Sequence, residues 1–141
     1  LERYRSEGRF TPPSLRGSIL HPGWGGGANW GGVAVDPERV LAVVRVNELP
    51  GQLVLIPRAE LDARTASGEF DGWEVTAMAG TPYAMARRPF LSPLGVPCIE
   101  PPWGRLVAVD LARGTLAWSR PLGTTADLVP GWLPDLALGI P

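Results

Sequence analysis

The chain has 141 residues, 18 of them glycine and 16 proline, with 45% hydrophobic residues and a formal net charge of -1. That balance excludes a disordered chain, because enough apolar surface is present to bury, and favours a loop-rich β protein. It also argues against a nucleic-acid partner, since no excess of cations is available to displace counterions from phosphate.

Residues 1–23 show little periodicity around Thr11-Pro12-Pro13-Ser14 and are expected to form an ordered connector. Val33 to Asp36 alternates as a strand does, and Asp36-Pro37-Glu38-Arg39 carries turn chemistry. Val40 to Val46 is β-branched and long enough for a central strand, and Leu53 to Ile56, ended by Pro57, is expected to be the next. Residues 59–80 are polar and mixed, with a short helical turn expected over Ala59 to Ala66, and are predicted to be a surface insertion. Pro82 to Pro102 holds six prolines, which cannot donate to a sheet ladder, so an irregular stiff segment is expected there. Arg105 to Val109 and Thr115 to Trp118 then predict a hairpin about an Asp110 to Gly114 turn.

Two stretches resemble each other, Trp30-Gly31-Gly32-Val33-Ala34-Val35-Asp36 and Trp103-Gly104-Arg105-Leu106-Val107-Ala108-Val109-Asp110. Their separation exceeds the roughly 40–45 residues of a propeller repeat, and the 59–80 insertion would account for the excess. The pair suggests two decayed copies of one blade-like unit.

All 13 basic residues are arginine, so any lysine-dependent step must be supplied from outside this chain. Cys98 is the single cysteine and cannot form an internal disulfide. No apolar run approaches the ~20 residues needed to cross a bilayer. The chain opens at Leu1-Glu2-Arg3-Tyr4 and stops at Leu138-Gly139-Ile140-Pro141, and it is expected to be a piece of a longer protein.

The most informative segment is Pro22 to Pro37, where glycines surround Asn29-Trp30 before the first alternating run. Glycine lets a planar ligand or another backbone approach closely, and tryptophan offers a flat apolar face with one N–H donor. A second signature, A-x-D-x-x-x-G-x-x-x-W, is carried by Ala108, Asp110, Gly114 and Trp118. Further strings are Phe10-Thr11-Pro12-Pro13-Ser14, Leu55-Ile56-Pro57-Arg58, Gly80-Thr81-Pro82-Tyr83, Pro89 to Cys98 and Pro101-Pro102-Trp103-Gly104. In order and spacing, from Phe10 to Pro141, they resemble the quinoprotein dehydrogenases, in the membrane-linked glucose dehydrogenase branch. These enzymes use pyrroloquinoline quinone (PQQ).

The resemblance implies an all-β fold, a fragment of one eight-bladed propeller domain with long irregular Pro/Gly-rich loops. It also implies oxidation of a sugar or polyol by hydride transfer to PQQ, with an aspartate as base and calcium as Lewis acid. That aspartate, the calcium ligands and the basic residue beside the quinone are expected before Leu1, so the chain alone should not turn over substrate. The other implied partners are the remaining propeller blades and ubiquinone or a cytochrome as electron acceptor. The implied location is the periplasmic side of the bacterial inner membrane.

Within the chain, Asn29, Trp30 and Asn47 are the candidate cofactor contacts. From the residues alone, Asn29 would cap a turn and Trp30 fill the core; the resemblance turns the reading toward PQQ. Relatives carry asparagine at both the Arg45 and Asn47 positions, so Arg45 either meets the cofactor's carboxylates or sits on a solvent face. Ala108, Asp110, Gly114 and Trp118 read as structural, with the tryptophan docking on a neighbouring blade. Trp103 reads as packing and His21 as a loop residue. Cys98 reads as a buried thiol, or, by the resemblance, as paired with an upstream cysteine. Asp62, Glu69, Asp71 and Glu74 read as a solvated loop rather than a calcium site. The rival reading is a non-catalytic propeller scaffold, for which the Asn29 to Gly32 and Pro89 to Gly104 strings would not be required.

Overall fold

The computed structural model describes residues 3–9 and 11–124, so Phe10 and the chain end at Leu138 to Pro141 lie outside the described residues. Its regular structure is almost entirely antiparallel strand, in two sheets of a partial β-propeller. The chain divides into two compact units, one from the residues up to Trp24 with Pro50–Cys98, the other from Gly25–Leu49 with the stretch after Ile99.

The first unit is a four-stranded sheet of order β1-β4-β6-β5, with β1 Ser18–Leu20, β4 Gly51–Pro57, β5 Glu74–Thr76 and β6 Tyr83–Pro89. β1 corrects the connector expected over residues 1–23: three residues pair with Gly51, Gln52 and Leu53. Ser18 is fully buried there, its hydroxyl donating to Pro12 O at 2.7 Å, a tertiary contact that leaves no periodic trace in so short a strand. β6 corrects the irregular segment expected over Pro82 to Pro102. Prolines bracket this strand instead of interrupting it, and Ala84 and Ala86 are fully buried on one face while Met85 and Arg87, half-buried, alternate onto the other.

The core of this unit is Val54, Ile56, Phe70, Ala84 and Ala86, with Tyr4, Leu61 and Trp73 packed against it. Residues 59–80 carry a 3-10 turn at Arg58–Glu60, the helix α1 Leu61–Ala66 and strand β5. They also supply Phe70, whose ring meets that of Trp73 edge-on at 5.9 Å. Arg58 holds the returning loop, its guanidinium donating to the carbonyls of Thr81 at 2.9 Å and of Ala77 and Met78 at 2.5 Å.

The second unit is the sheet β2-β3-β7-β8, formed by Val33–Asp36, Leu41–Asn47, Gly104–Asp110 and Thr115–Pro121. Every neighbour is antiparallel. This is an up-and-down four-strand blade whose second and third strands are joined through residues 48–103. The two similar stretches are therefore not two blades but two strands of one, β2 and β7, lying on either side of β3. Sequence similarity marks equivalent strand environments, so the repeat is one of strands within a single blade.

The hairpin over Arg105 to Trp118 is present, with a bulge between Ala108 and Val109 that sets Ala108 opposite Trp118. Asp110 Oδ1 accepts from the N–H groups of Ala112 and Arg113 at 2.9 and 3.0 Å, and Gly114 closes the turn at φ +66°. Trp103 is buried, its indole N–H donating to Ile99 O at 3.0 Å.

Candidate functional site

The site is built on the end of β3 and the glycine loop before β2, all within the second unit. Along a strand, side chains two apart share a face, so Arg45 and Asn47 stand side by side. The loop reaches this strand end by its backbone: the Asn47 N–H donates to Gly27 O at 2.8 Å. Within the loop the Asn29 amide Nδ2 donates to Gly25 O at 2.9 Å and the Gly32 N–H to Asn29 O at 3.1 Å. Gly26 and Gly32 take φ +68° and +62°, a backbone that side chains resist and that folds the loop back on itself.

The result is a concave pocket of about 170 Å³ lined by Gly25, Asn29, Trp30, Gly31, Arg45 and Asn47. The candidate cofactor residues, the adjacent Asn29 and Trp30 of the loop and Asn47 of β3, are thus brought together. Trp30 does not fill a core; it is 98% exposed, presenting its indole at the pocket. Asn29 does cap its own turn, which uses its amide nitrogen and fixes its orientation. Among the described residues Asn47 Oδ1 is buried without a hydrogen-bond partner, an unmet acceptor that costs free energy. Among the described residues no carboxylate lines the pocket: the nearest in sequence, Glu48, accepts from Arg105 Nε at 3.1 Å.

Sequence reasoning missed the Gly27 carbonyl that ties loop to strand. Glycine-richness signalled a close backbone approach, but no local pattern names Asn47 as the partner. Cys98 differs from the buried thiol expected; it is free and exposed in this chain. His21 lies in the bend after β1. In the 59–80 region Glu69 is bound to Arg64 at 2.6 Å and Glu74 to Arg87 at 2.6 Å. Among the described residues no group of three or more His, Cys, Asp or Glu could hold a metal.

The blade-like meander and its glycine-lined pocket define one unit of a propeller with a concave pocket at a strand end. Residues 1–139 match the PQQ family described as glucose/ethanol/alcohol dehydrogenase, beta-propeller domain, and the chain belongs to that family. It is 39% identical to quinoprotein glucose dehydrogenase A of Acinetobacter calcoaceticus, over 99% of this chain and 18% of that protein. It is 38% identical to quinoprotein glucose dehydrogenase of Escherichia coli (strain K12), over 89% of this chain and 16% of the relative. It is 37% identical to a probable quinate dehydrogenase (quinone) of Xanthomonas campestris pv. juglandis, over 92% and 17%. The chain therefore spans less than a fifth of the length of these relatives. No solved structure matches the chain significantly.

Proposed function

We propose that the whole protein is a PQQ-dependent dehydrogenase that oxidises a sugar or polyol and passes the electrons to ubiquinone or a cytochrome. In this reading it works on the periplasmic side of the bacterial inner membrane, and this chain alone turns over no substrate. When bound, PQQ supplies the two-electron acceptor for alcohol oxidation. The catalytic aspartate and the calcium ligands belong to other parts of the propeller. The exposed apolar side chains of the edge strands β2 and β8, Val33, Val35, Leu116 and Trp118, support neighbouring blades as partners.

The residues present fit a PQQ-like group. Its flat heteroaromatic body suits the open indole face of Trp30, and the glycines beside it leave room for a rigid ring system. A ring N–H or a hydroxyl would satisfy Asn47 Oδ1. This chain's part is to bind and orient the cofactor and to keep water off one face.

The buried, unpartnered Asn47 oxygen is the observation that carries the reading. The test is titration of the full-length apoprotein with PQQ, followed by tryptophan emission. Asn47→Leu is expected to weaken binding about tenfold, the loss of ~1.4 kcal/mol. Unchanged affinity would remove this pocket from the cofactor site.

A further inference from the structure

We propose that Arg45 is the carboxylate anchor of this pocket, so that the ligand it takes is anionic. The inference rests on the reading of the pocket as a ligand site and goes beyond it by naming the charge the site selects.

Arg45 is the single charged side chain among the described residues that line the pocket. Three other arginines of the second unit are held by carboxylates away from the pocket: Arg39 by Asp36, Arg105 by Glu48 and Arg113 by Asp110. Arg45 has no ion pair or side-chain hydrogen bond among the described residues, and it is exposed at the pocket wall beside Trp30. Its backbone is held in the ladder opposite Leu106 on β7, which sets the point from which the side chain reaches the pocket. A guanidinium presents parallel N–H donors that match a carboxylate in a bidentate pair, and among the described residues no carboxylate takes them. The aromatic face, the amides of Asn29 and Asn47, and an unpaired arginine together describe a site for a flat or hydroxylated molecule bearing a carboxylate.

That carboxylate belongs either to the cofactor itself or to a carboxylated polyol substrate, and the experiment separates the two. Full-length wild type, Arg45→Gln and Arg45→Lys are titrated as apoproteins with PQQ by tryptophan quenching, and KM is then measured with quinate and with glucose. If the cofactor supplies the group, Arg45→Gln weakens PQQ binding about tenfold, with Arg45→Lys recovering part of the loss. If the substrate supplies it, PQQ affinity is unchanged and KM rises about tenfold for quinate but not for glucose. Thermal unfolding should be the same for all three proteins, because the side chain is exposed and supports no other group. PQQ affinity and both KM values unchanged in Arg45→Gln would overturn the proposal. Should Asn47→Leu still weaken PQQ binding in that case, the cofactor pocket stands and only the role of Arg45 falls.

Discussion

Asp36 and Asp110 are the two ends of one arrangement: both pair across the ladder with Leu41, one from β2 and the other from β7. Ala34 and Ala108 likewise face Val43 from opposite sides. Each aspartate then organises the turn that follows it in the same way. Asp36 Oδ1 accepts from the N–H groups of Glu38 and Arg39, and its Oδ2 takes Arg39 Nη1 at 2.8 Å. Asp110 does the same with Ala112, Arg113 and Arg113 Nη1, the last at 2.6 Å. The first hairpin is thus a degenerate copy of the second, with Val40 where the other has Gly114.

That substitution leaves Val40 at φ +55°, a left-handed conformation that a β-branched side chain resists. Val40→Asn, which tolerates this backbone, is expected to stabilise the full-length protein by about 0.5–1 kcal/mol, and Gly114→Val to destabilise it by about 1–2 kcal/mol. Urea unfolding of both variants checks the signs. A loss of stability in Val40→Asn would show that the valine side chain matters more than its backbone.

The paired aspartates set a direction for acid sensitivity. Hydrogen bonds from Arg39 and Arg113, helped by backbone N–H groups, hold both carboxyls below the usual aspartate range. A lowered folded pKa gives stability that is fully present above the unfolded value of about 4 and is lost as pH falls through the folded value. Melting temperature should therefore drop as pH is lowered below about 4, and more shallowly in the Asp36→Asn, Asp110→Asn double variant. Equal slopes for the two proteins would contradict this.

Gly51 is glycine because Trp24 lies on it: a Cβ there would collide with the ring, reaching Cε3 at 2.7 Å. Over the same indole sits the Arg87 guanidinium, 5.1 Å from the ring centroid and fixed by Glu74. Gly51→Ala is expected to cost about 1–3 kcal/mol by overpacking. Adding Trp24→Ala should recover part of that loss, a coupling that a double-mutant cycle on unfolding free energies measures. Additive costs would show that the ring is not the obstacle.

Asn47→Leu should have opposite effects on stability and on binding. Removing a buried acceptor without a partner is expected to raise the stability of the apoprotein by about 1 kcal/mol, measured by thermal unfolding without PQQ. A lower apo melting temperature would mean that the amide is satisfied in the whole protein without any ligand.

Much of the fold is legible in the sequence where the signal is local. The alternation of Val33 to Asp36, the β-branched run into β3 and the Asp110 to Gly114 turn all appear where their residue types place them. What is not legible is lateral order. Nothing in residues 30–36 and 103–110 says that they flank the same strand, because partner choice is decided by pairing across the sheet. Strand β6 is hard to read from the sequence because Pro82 just before it and Pro89 at its end mask the seven residues that pair. In the site, the glycines announced a close approach, but only the ladder brings Asn47 and Arg45 to them. Arg58 shows the same limit: the Leu55 to Arg58 and Gly80 to Tyr83 strings look separate until one side chain is seen binding the other's carbonyls.

The long excursion between β3 and β7 bears on how the polypeptide matures. Its base is fastened by the Glu48 N–H to Trp103 O at 2.8 Å, yet Asn47 must wait for Gly104, and Arg45 for Leu106, before either gains its neighbour. During synthesis from the N-terminus, the β2–β3 hairpin emerges well before the strand that completes its sheet, leaving an unpaired edge for as long as residues 48–103 take to appear. The strand that carries the candidate ligand residues is therefore finished late, and slowing or lengthening that excursion should delay the appearance of binding competence more than it lowers the final yield of folded protein.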